Sequence, residues 1–312
     1  MIKRFFGAAI AATVIALPAM AEYPEKDIKL IVPYGAGGGT DTAARLVQPY
    51  LEKILGANLI ITNMPGAGGT IGATKFAQSK ADGYTLAFLP VGTAAYQPNL
   101  RKVGYDQNSF APICMTIEEP VTVSVAPESP IGSLDALIAK AKKNTLMAGN
   151  GGPGTVPHIG AVLLEQGYGL KFKHVPLENS AKTSRGVLGG QVDLAADMIG
   201  MHMKFGLKPL AVMAEKRSDK IPDVPTIDEV GGPPLRLSIW FGLFAPASTP
   251  QAIVDKLSKS CSEATGISAY GEGVKKANLT PQFRDSAAFG AFYKKEFERF
   301  AALFKEIGIK KK

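Results

Sequence analysis

Residues 27–41 read Asp27-Ile28-Lys29-Leu30-Ile31-Val32-Pro33-Tyr34-Gly35-Ala36-Gly37-Gly38-Gly39-Thr40-Asp41. The first seven are a nearly continuous apolar run of strand length, rich in β-branched residues, which predicts a strand buried on both faces. A glycine loop follows. Beyond it Leu46, Val47, Tyr50, Leu51, Ile54 and Leu55 recur at helical spacing, with Gly56 as the expected stop and Pro49 as an expected kink. Strand, glycine loop and helix in this order form half of a βαβ unit. The loop glycines let backbone N–H groups turn toward one point, and the helix N-terminus adds a positive dipole end, a combination that suits an anion. Thr40 and Asp41 are the expected caps of the helix, and Thr40 is also placed to donate to a ligand.

The unit returns at once. Residues 58–62 predict a strand, Pro65-Gly66-Ala67-Gly68-Gly69-Thr70-Ile71-Gly72 is a second glycine loop, 73–80 predict a helix and 84–89 a third strand. Repetition of this kind points to parallel strands with their loops gathered at the carboxyl edge of one sheet. A second series follows. Its strands are expected at 120–127, 145–148, 171–175, 192–196 and 209–214, and its helices at 133–143, 155–166 and 181–188, with a strand at 237–245 leading back and a largely helical stretch from 250 to 312. The expected fold is α/β with two lobes joined by two extended crossings: 22–125 and 237–312 form the first lobe and 126–236 the second. A cleft between them is the natural ligand site.

Thirty-five Lys and Arg against 27 Asp and Glu give +8, dispersed along the chain except for three terminal lysines, which argues against nucleic-acid binding. Residues 1–21 combine Lys3 and Arg4, an apolar run from Phe5 to Leu17 and an Ala19-x-Ala21 site, and so predict a secretory signal peptide. Its removal leaves 33 basic and 27 acidic residues, or +6, from Glu22 onward. Cys114 and Cys261 are both available for a disulfide in an oxidising compartment, and their separation does not say whether they meet. Two cysteines without ligand-like spacing to histidine do not predict structural zinc, and no metal or cofactor is expected.

Nucleotide sites fail on the same residues. Neither glycine loop carries the lysine of a P-loop, and the sixth position of a dinucleotide fingerprint is Thr40 in one loop and Ile71 in the other. A carboxylate needs only a few donors and fits better. No nucleophile motif stands out. His158 follows the third glycine loop, Gly149 to Thr155; His174 is expected to be buried and hydrogen-bonded, and His202 exposed; Asp197 ends a strand, where it can reach the cleft.

Taken in order, Ile31-Val32-Pro33-Tyr34 with its glycines, the loop at Pro65, Asp82-Gly83-Tyr84-Thr85-Leu86, His174-Val175-Pro176, Leu188-Gly189-Gly190-Gln191-Val192-Asp193-Leu194, Pro222-Asp223-Val224-Pro225-Thr226 and Trp240-Phe241-Gly242-Leu243-Phe244-Ala245-Pro246 resemble the Bug-type substrate-binding proteins of tripartite tricarboxylate transporters. The resemblance spans essentially the whole mature chain. It implies a periplasmic receptor of the two-lobed Venus flytrap kind, not an enzyme and monomeric, which closes on a small organic carboxylate and presents it to membrane permease subunits. Carried over, the first-lobe contacts are Tyr34, Gly35, Ala36, Gly38, Gly39, Thr40 and Asp41, then Ala67, Gly68, Gly69 and Thr70, then Gly92 and Thr93. The second lobe is expected to add Asn150, Gly151, Thr155, His158 and Asp197. This chain departs from the family at Leu177-Glu178-Asn179, where an aromatic residue is usual, and at Gly149-Asn150-Gly151-Gly152, where serines are usual. Asn150 and Asn179 are therefore expected to read the far half of the ligand, whereas an inward Glu178 would disfavour a second carboxylate. Two other classes stay open: an exported enzyme using His158 and Asp197 as an acid–base pair, and a sensory protein whose closed form engages a two-component receptor.

Overall fold

The computed structural model describes residues 23–306 and Lys311, so the signal-peptide reading lies outside the described residues. The chain opens with β1 (Ile28–Val32), α1 (Gly39–Leu55), β2 (Leu59–Asn63), α2 (Thr70–Ala77) and β3 (Thr85–Pro90). β1 lies between β2 and β3, both pairings are parallel, and the loops that follow share one sheet edge. Gly56 ends α1 in the left-handed region, φ 68°, donating to Glu52 O. Buried Val47, Leu51 and Leu55 anchor that helix, which continues past Pro49 to Leu55. α2 starts three residues before the expected 73 because the second glycine loop tightens into a 3-10 turn, Ala67–Gly69, that leads directly into it.

A wide helical turn (Gly92–Tyr96) and α3 (Gln97–Leu100) lead to β4 (Phe110–Val125), twice the strand expected at 120–127. Pro112, Pro120 and the pair Glu118 and Glu119 hide it, since they break the alternation that marks a strand. Register shifts between Pro112 and Cys114 and between Met115 and Ile117 absorb the irregularity. β9 (Ser238–Pro246) runs antiparallel to β4 from Phe110 to Pro120, with β3 beyond it and β10 (Pro281–Arg284) on the other side of β4. From Val121 the same strand enters a second sheet, between β7 (Leu194–Met198) and β8 (Lys208–Val212). Parallel partners β5 (Met147–Asn150) and β6 (Lys173–Pro176) extend that sheet beyond β7. Thus β4 is a beam common to both sheets. Where it changes sheet, Glu119 is fully buried. Burial pushes its carboxyl up and Lys220, which pairs with it, opposes the shift. Lys220 Nζ also donates to Asn278 O at 2.6 Å, so the buried charge is paired and tied to a third segment.

The second sheet is covered by α4 (Leu134–Lys143), α5 (Val156–Tyr168), α6 (Ser180–Leu188) and the short α7 (Ile199–Lys204). The C-terminal stretch is helical as expected, in α8 (Gln251–Gly266), α9 (Ser268–Lys276) and α10 (Ser286–Glu306), apart from the unforeseen β10. α10 returns to the first sheet through aromatic packing: Phe300 sits 4.1 Å from Tyr96 and Phe289 meets the edge of Trp240 at 5.4 Å, centroid to centroid. Cys114 on β4 and Cys261 on α8 form a disulfide, which closes the question their spacing left open. Among the described residues no helix is long and apolar enough to cross a membrane.

Two histidines differ from expectation. His174 is half-buried rather than buried, with Nε2 3.2 Å from Glu165 Oε2. His202 is 2% exposed, not at the surface, because α7 is packed against β4 instead of projecting from the sheet end. Among the described residues neither of its ring nitrogens has a partner, and burial pushes its pKa down to about 3. The unfolded chain therefore takes up a proton below about pH 6.5 that the native state refuses, so this site costs stability as pH falls toward 3. His202→Leu should leave the melting temperature nearly unchanged at pH 7.5 and raise it by several degrees at pH 5, where about 2 kcal/mol is recovered. Equal shifts at both pH values in calorimetry would show that protonation is not the cause.

Candidate functional site

The loops at the carboxyl edges of the two sheets meet face to face. Between them lies a narrow cavity of about 30 Å³, lined from the first sheet by Tyr34, Gly39, Thr40, Pro90 and Gly92, and from the second by Gly151, Thr155, Val156, Pro157, Asn179, Ser180 and Met198, with Ile239 of β9. The starts of α1, α5 and α6 all reach it, and the turn beginning at Gly92 closes one side. First-turn N–H groups have no partner inside their own helix, and each helix start carries about half a positive charge. Apart from Tyr34 no ionisable side chain among the described residues lines the cavity, so its lining presents backbone dipoles rather than charged side chains.

Seven of the expected residues reach the cavity: Tyr34, Gly39, Thr40, Gly92, Gly151, Thr155 and Asn179. The others build it. Asp41 does not cap α1, whose N-cap is Gly38 without a side-chain bond, and neither does Thr40. Instead Asp41 Oδ2 accepts from Gly37 N and Arg45 Nε, both at 2.9 Å, while Oδ1 accepts from Asn63 Nδ2 at 2.9 Å. Burial raises its pKa, but the Arg45, Gly37 and Asn63 bonds outweigh burial and hold it below the usual carboxylate range. Both oxygens are thus committed to shaping the first loop. Gly35 and Gly38 face Asn179 across the cleft, and Ala36 stands exposed beside them.

The second loop is held from inside. Gly68 O accepts from Tyr34 Oη at 3.0 Å, from Thr93 Oγ1 at 3.4 Å and from Gln97 Nε2 at 3.3 Å. Gly69 is pressed so close that a Cβ there would lie 2.3 Å from Thr93 Oγ1, and Thr70 Oγ1 closes the turn onto Ala67 O. Ala67 itself has φ 49°, strain that a tightly held loop sustains. Burial lifts the Tyr34 phenol to about 12, leaving a neutral hydroxyl.

On the second side Asn150 Oδ1 accepts from Gly152 N at 2.8 Å, and Thr155 Oγ1 donates to Gly152 O at 2.7 Å. Asn150 therefore shapes its loop and does not line the cavity. Asn179 caps α6 through Lys182 N at 3.0 Å. Glu178, at φ 72°, pairs with Lys182 and reaches over the lip toward Gly35 rather than lining the cavity. His158 packs on His174 at 4.8 Å and its Nδ1 accepts from Gly154 N at 3.3 Å; burial, then His174, lowers its pKa to about 4. Asp197 is fully buried; its Oδ1 accepts from the Met198 N–H at 2.8 Å, its Oδ2 has no hydrogen-bond partner among the described residues, and burial pushes its pKa up to about 6 while Ser180 and the Met198 N–H oppose the shift. It stands just behind the wall formed by Ser180 and Met198. Among the described residues His158 and Asp197 share no hydrogen bond.

Sequence reasoning missed Ser180, Met198, Pro90, Val156, Pro157 and Ile239. Ser180 was legible as the residue after a capping asparagine; the apolar ones carry no signal beyond their place at a strand end. The halves also touch directly, Gln97 Nε2 donating to Pro153 O at 2.8 Å, so the conformation is a closed one.

The sequence profile described as tripartite tricarboxylate transporter family receptor matches residues 43–309. Among solved structures, periplasmic binding protein BugD is 31% identical with a TM-score of 0.87, over 93% of this chain and all of that one. MatC from Rhodopseudomonas palustris, with bound malate, is 29% identical with a TM-score of 0.85, over 90% of this chain and 99% of its own. Rpa4515 of R. palustris, with adipate, is 28% identical with a TM-score of 0.87, over 93% of this chain and all of that one. The α/β architecture is that of periplasmic binding proteins.

Proposed function

This chain belongs to the tripartite tricarboxylate transporter receptor family, and from that premise we propose that it captures a small organic carboxylate between two lobes in the periplasm and delivers it to the transporter's permease subunits. The observation that carries this reading is the convergence of helix starts from both sheets on one cavity that no cationic side chain among the described residues lines. Such a site prefers a compact anion and needs no cationic side chain or metal to hold it. Malate in MatC and adipate in Rpa4515 are anions of this class. A disulfide in the core suits an exported protein, and the leader at 1–21, cleaved after Ala21, supplies the route. The lobes are 22–125 with 237–312, and 126–236. They move as a hinge about β4 and β9, and closure over the ligand is the signal the permease reads. The receptor acts as a monomer and returns its ligand unchanged.

A thermal-shift screen of the protein from Glu22 onward tests this reading, with malate, succinate, adipate, citrate, benzoate, amino acids and ATP as probes. Saturation at a hundred times Kd should add about 2.7 kcal/mol. Stabilisation by a carboxylate that is recovered intact supports the reading; stabilisation by none of them, or consumption of one, overturns it.

Asp197 gives the site a pH dependence. An anion in the cavity faces the wall behind which Asp197 lies, and raises its pKa further above 6. Binding then takes up a proton, so affinity falls as pH rises from about 6. Between pH 5.5 and 7.5 we expect Kd to weaken about tenfold in the native protein and to stay nearly flat in Asp197→Asn. Parallel profiles in calorimetry would mean that Asp197 does not feel the ligand.

A further inference from the structure

A second cavity, about 170 Å³, lies on the far side of the contact between Gly39 and Met198, residues that also line the first cavity. Its first-lobe wall is Thr42 on α1 with Lys276 and Leu279 from the end of α9 and the turn after it; its second-lobe wall is Met201 and Lys204 of α7. The partition is thin. A Cβ on Gly39 would fall 2.5 Å from Met198 Cε and 3.2 Å from its sulfur, so a flexible thioether resting on a bare backbone is what divides the two spaces. The floor is apolar, with Met201 and Leu279 buried. At the rim stand two exposed lysines, one from each lobe, with no salt-bridge partner among the described residues. Cavities of about 150 Å³ with apolar walls hold benzene-sized guests, so this one has room for a segment of about six carbons.

We propose that the second cavity is a distal compartment of the ligand site, which takes the far methylenes of an elongated straight-chain dicarboxylate and sets its second carboxylate between Lys204 and Lys276. This rests on the reading of the first cavity as a carboxylate site. The first carboxylate binds the helix starts, Met198 swings off Gly39, and the chain threads between them. Short diacids stay in the first cavity and leave the second unused. Because Lys204 and Lys276 belong to opposite lobes, their mutual repulsion opposes closure, and a carboxylate between them removes it; a long diacid therefore closes the receptor better than a monoacid of equal length.

The test is calorimetric titration of the mature protein with α,ω-dicarboxylates from four to ten carbons and with octanoate, comparing the native protein, the Lys204→Met/Lys276→Met double variant and Thr42→Leu. In the native protein affinity should rise beyond six carbons by up to about fourfold per methylene, the factor equivalent to ~0.8 kcal/mol per buried CH₂. The eight-carbon diacid should exceed octanoate at least tenfold. The lysine variant should lose that advantage while binding malate as before, and Thr42→Leu, which narrows the compartment, should lose the long diacids selectively. A native affinity that falls beyond six carbons, or a chain-length profile unchanged in both variants, overturns the compartment while malate or succinate binding leaves the carboxylate receptor standing. Binding of no diacid at any length overturns both.

Discussion

Gly38→Val is expected to weaken binding of the cognate carboxylate about a hundredfold while leaving the melting temperature of the unliganded protein within about a degree of the native value. Gly38 has φ −74° and ψ 173°, a conformation valine adopts readily, so the folded first lobe is not strained by the change. What a side chain meets there is first the other half of the protein, at Asn179, and then Gly35 O of its own loop. A Cβ would lie 3.1 Å from Asn179 Cβ and 3.3 Å from Gly35 O, before the two methyl groups are added. The clash with Asn179 exists only when the cleft is shut. Overpacking of this kind costs about 1–3 kcal/mol, and apparent affinity falls in proportion to the fraction of protein able to close. Combining it with Asn179→Gly, which removes the opposing Cβ and costs the α6 cap only a few tenths of a kcal/mol, should restore much of the loss, which separates a steric block from damage to the loop. Native affinity in Gly38→Val would show that binding does not need this contact. Gly68→Val is a poorer probe, since φ 67° and a Cβ position 2.4 Å from Gln97 Nε2 would damage the loop and the closure together.

Loss of the disulfide should cost more stability than any other single covalent change. Cys114 and Cys261 are 147 residues apart in sequence, and cross-linking a loop of that length removes about 5 kcal/mol of denatured-chain entropy on the loop-closure relation. Both residues are fully buried, one on β4 and one on α8, so Cys114→Ala/Cys261→Ala leaves only a small void. The double variant should melt about 10 °C lower, and reductant should have the same effect on the native protein but none on the variant. Coincident melts of oxidised and reduced native protein would show that the bond does not constrain the unfolded chain. Ligand affinity should change little, because the bond lies in the first-sheet layer and away from the loops of the cleft.

Legibility followed the physics of each element. β1, α1, β2 and β3 were plain because local pattern and tertiary role agree: apolar runs become buried strands, and the glycine loop comes between strand and helix. β4 was half invisible because a strand that changes sheets alters its buried face midway, and Glu118 and Glu119 mark the crossing rather than a loop. His202 was misplaced for a similar reason: a six-residue helix too short to show periodicity carries no sign of which face will be covered.

For the site, the sequence alone determined the chemistry. Glycine loops before helices, without a phosphate-binding lysine, gather free backbone N–H groups at one sheet edge, an arrangement that suits an anion and that depends on local geometry the residues dictate. Tertiary structure alone decided which residues face the cavity and which hold up the wall. Asp41 is as polar as Thr40 and one position away, yet three hydrogen bonds turn it inward to the loop. His158 and Asp197, equally suggestive in sequence, are bonded to Gly154 N and Met198 N instead. Gly37, Arg45, Gly154 and Met198 are within four residues of the side chains they hold, but Asn63 lies 22 residues from Asp41, and a side chain's direction is fixed by whichever partner the packed chain brings within about 3 Å, a choice that local sequence does not encode.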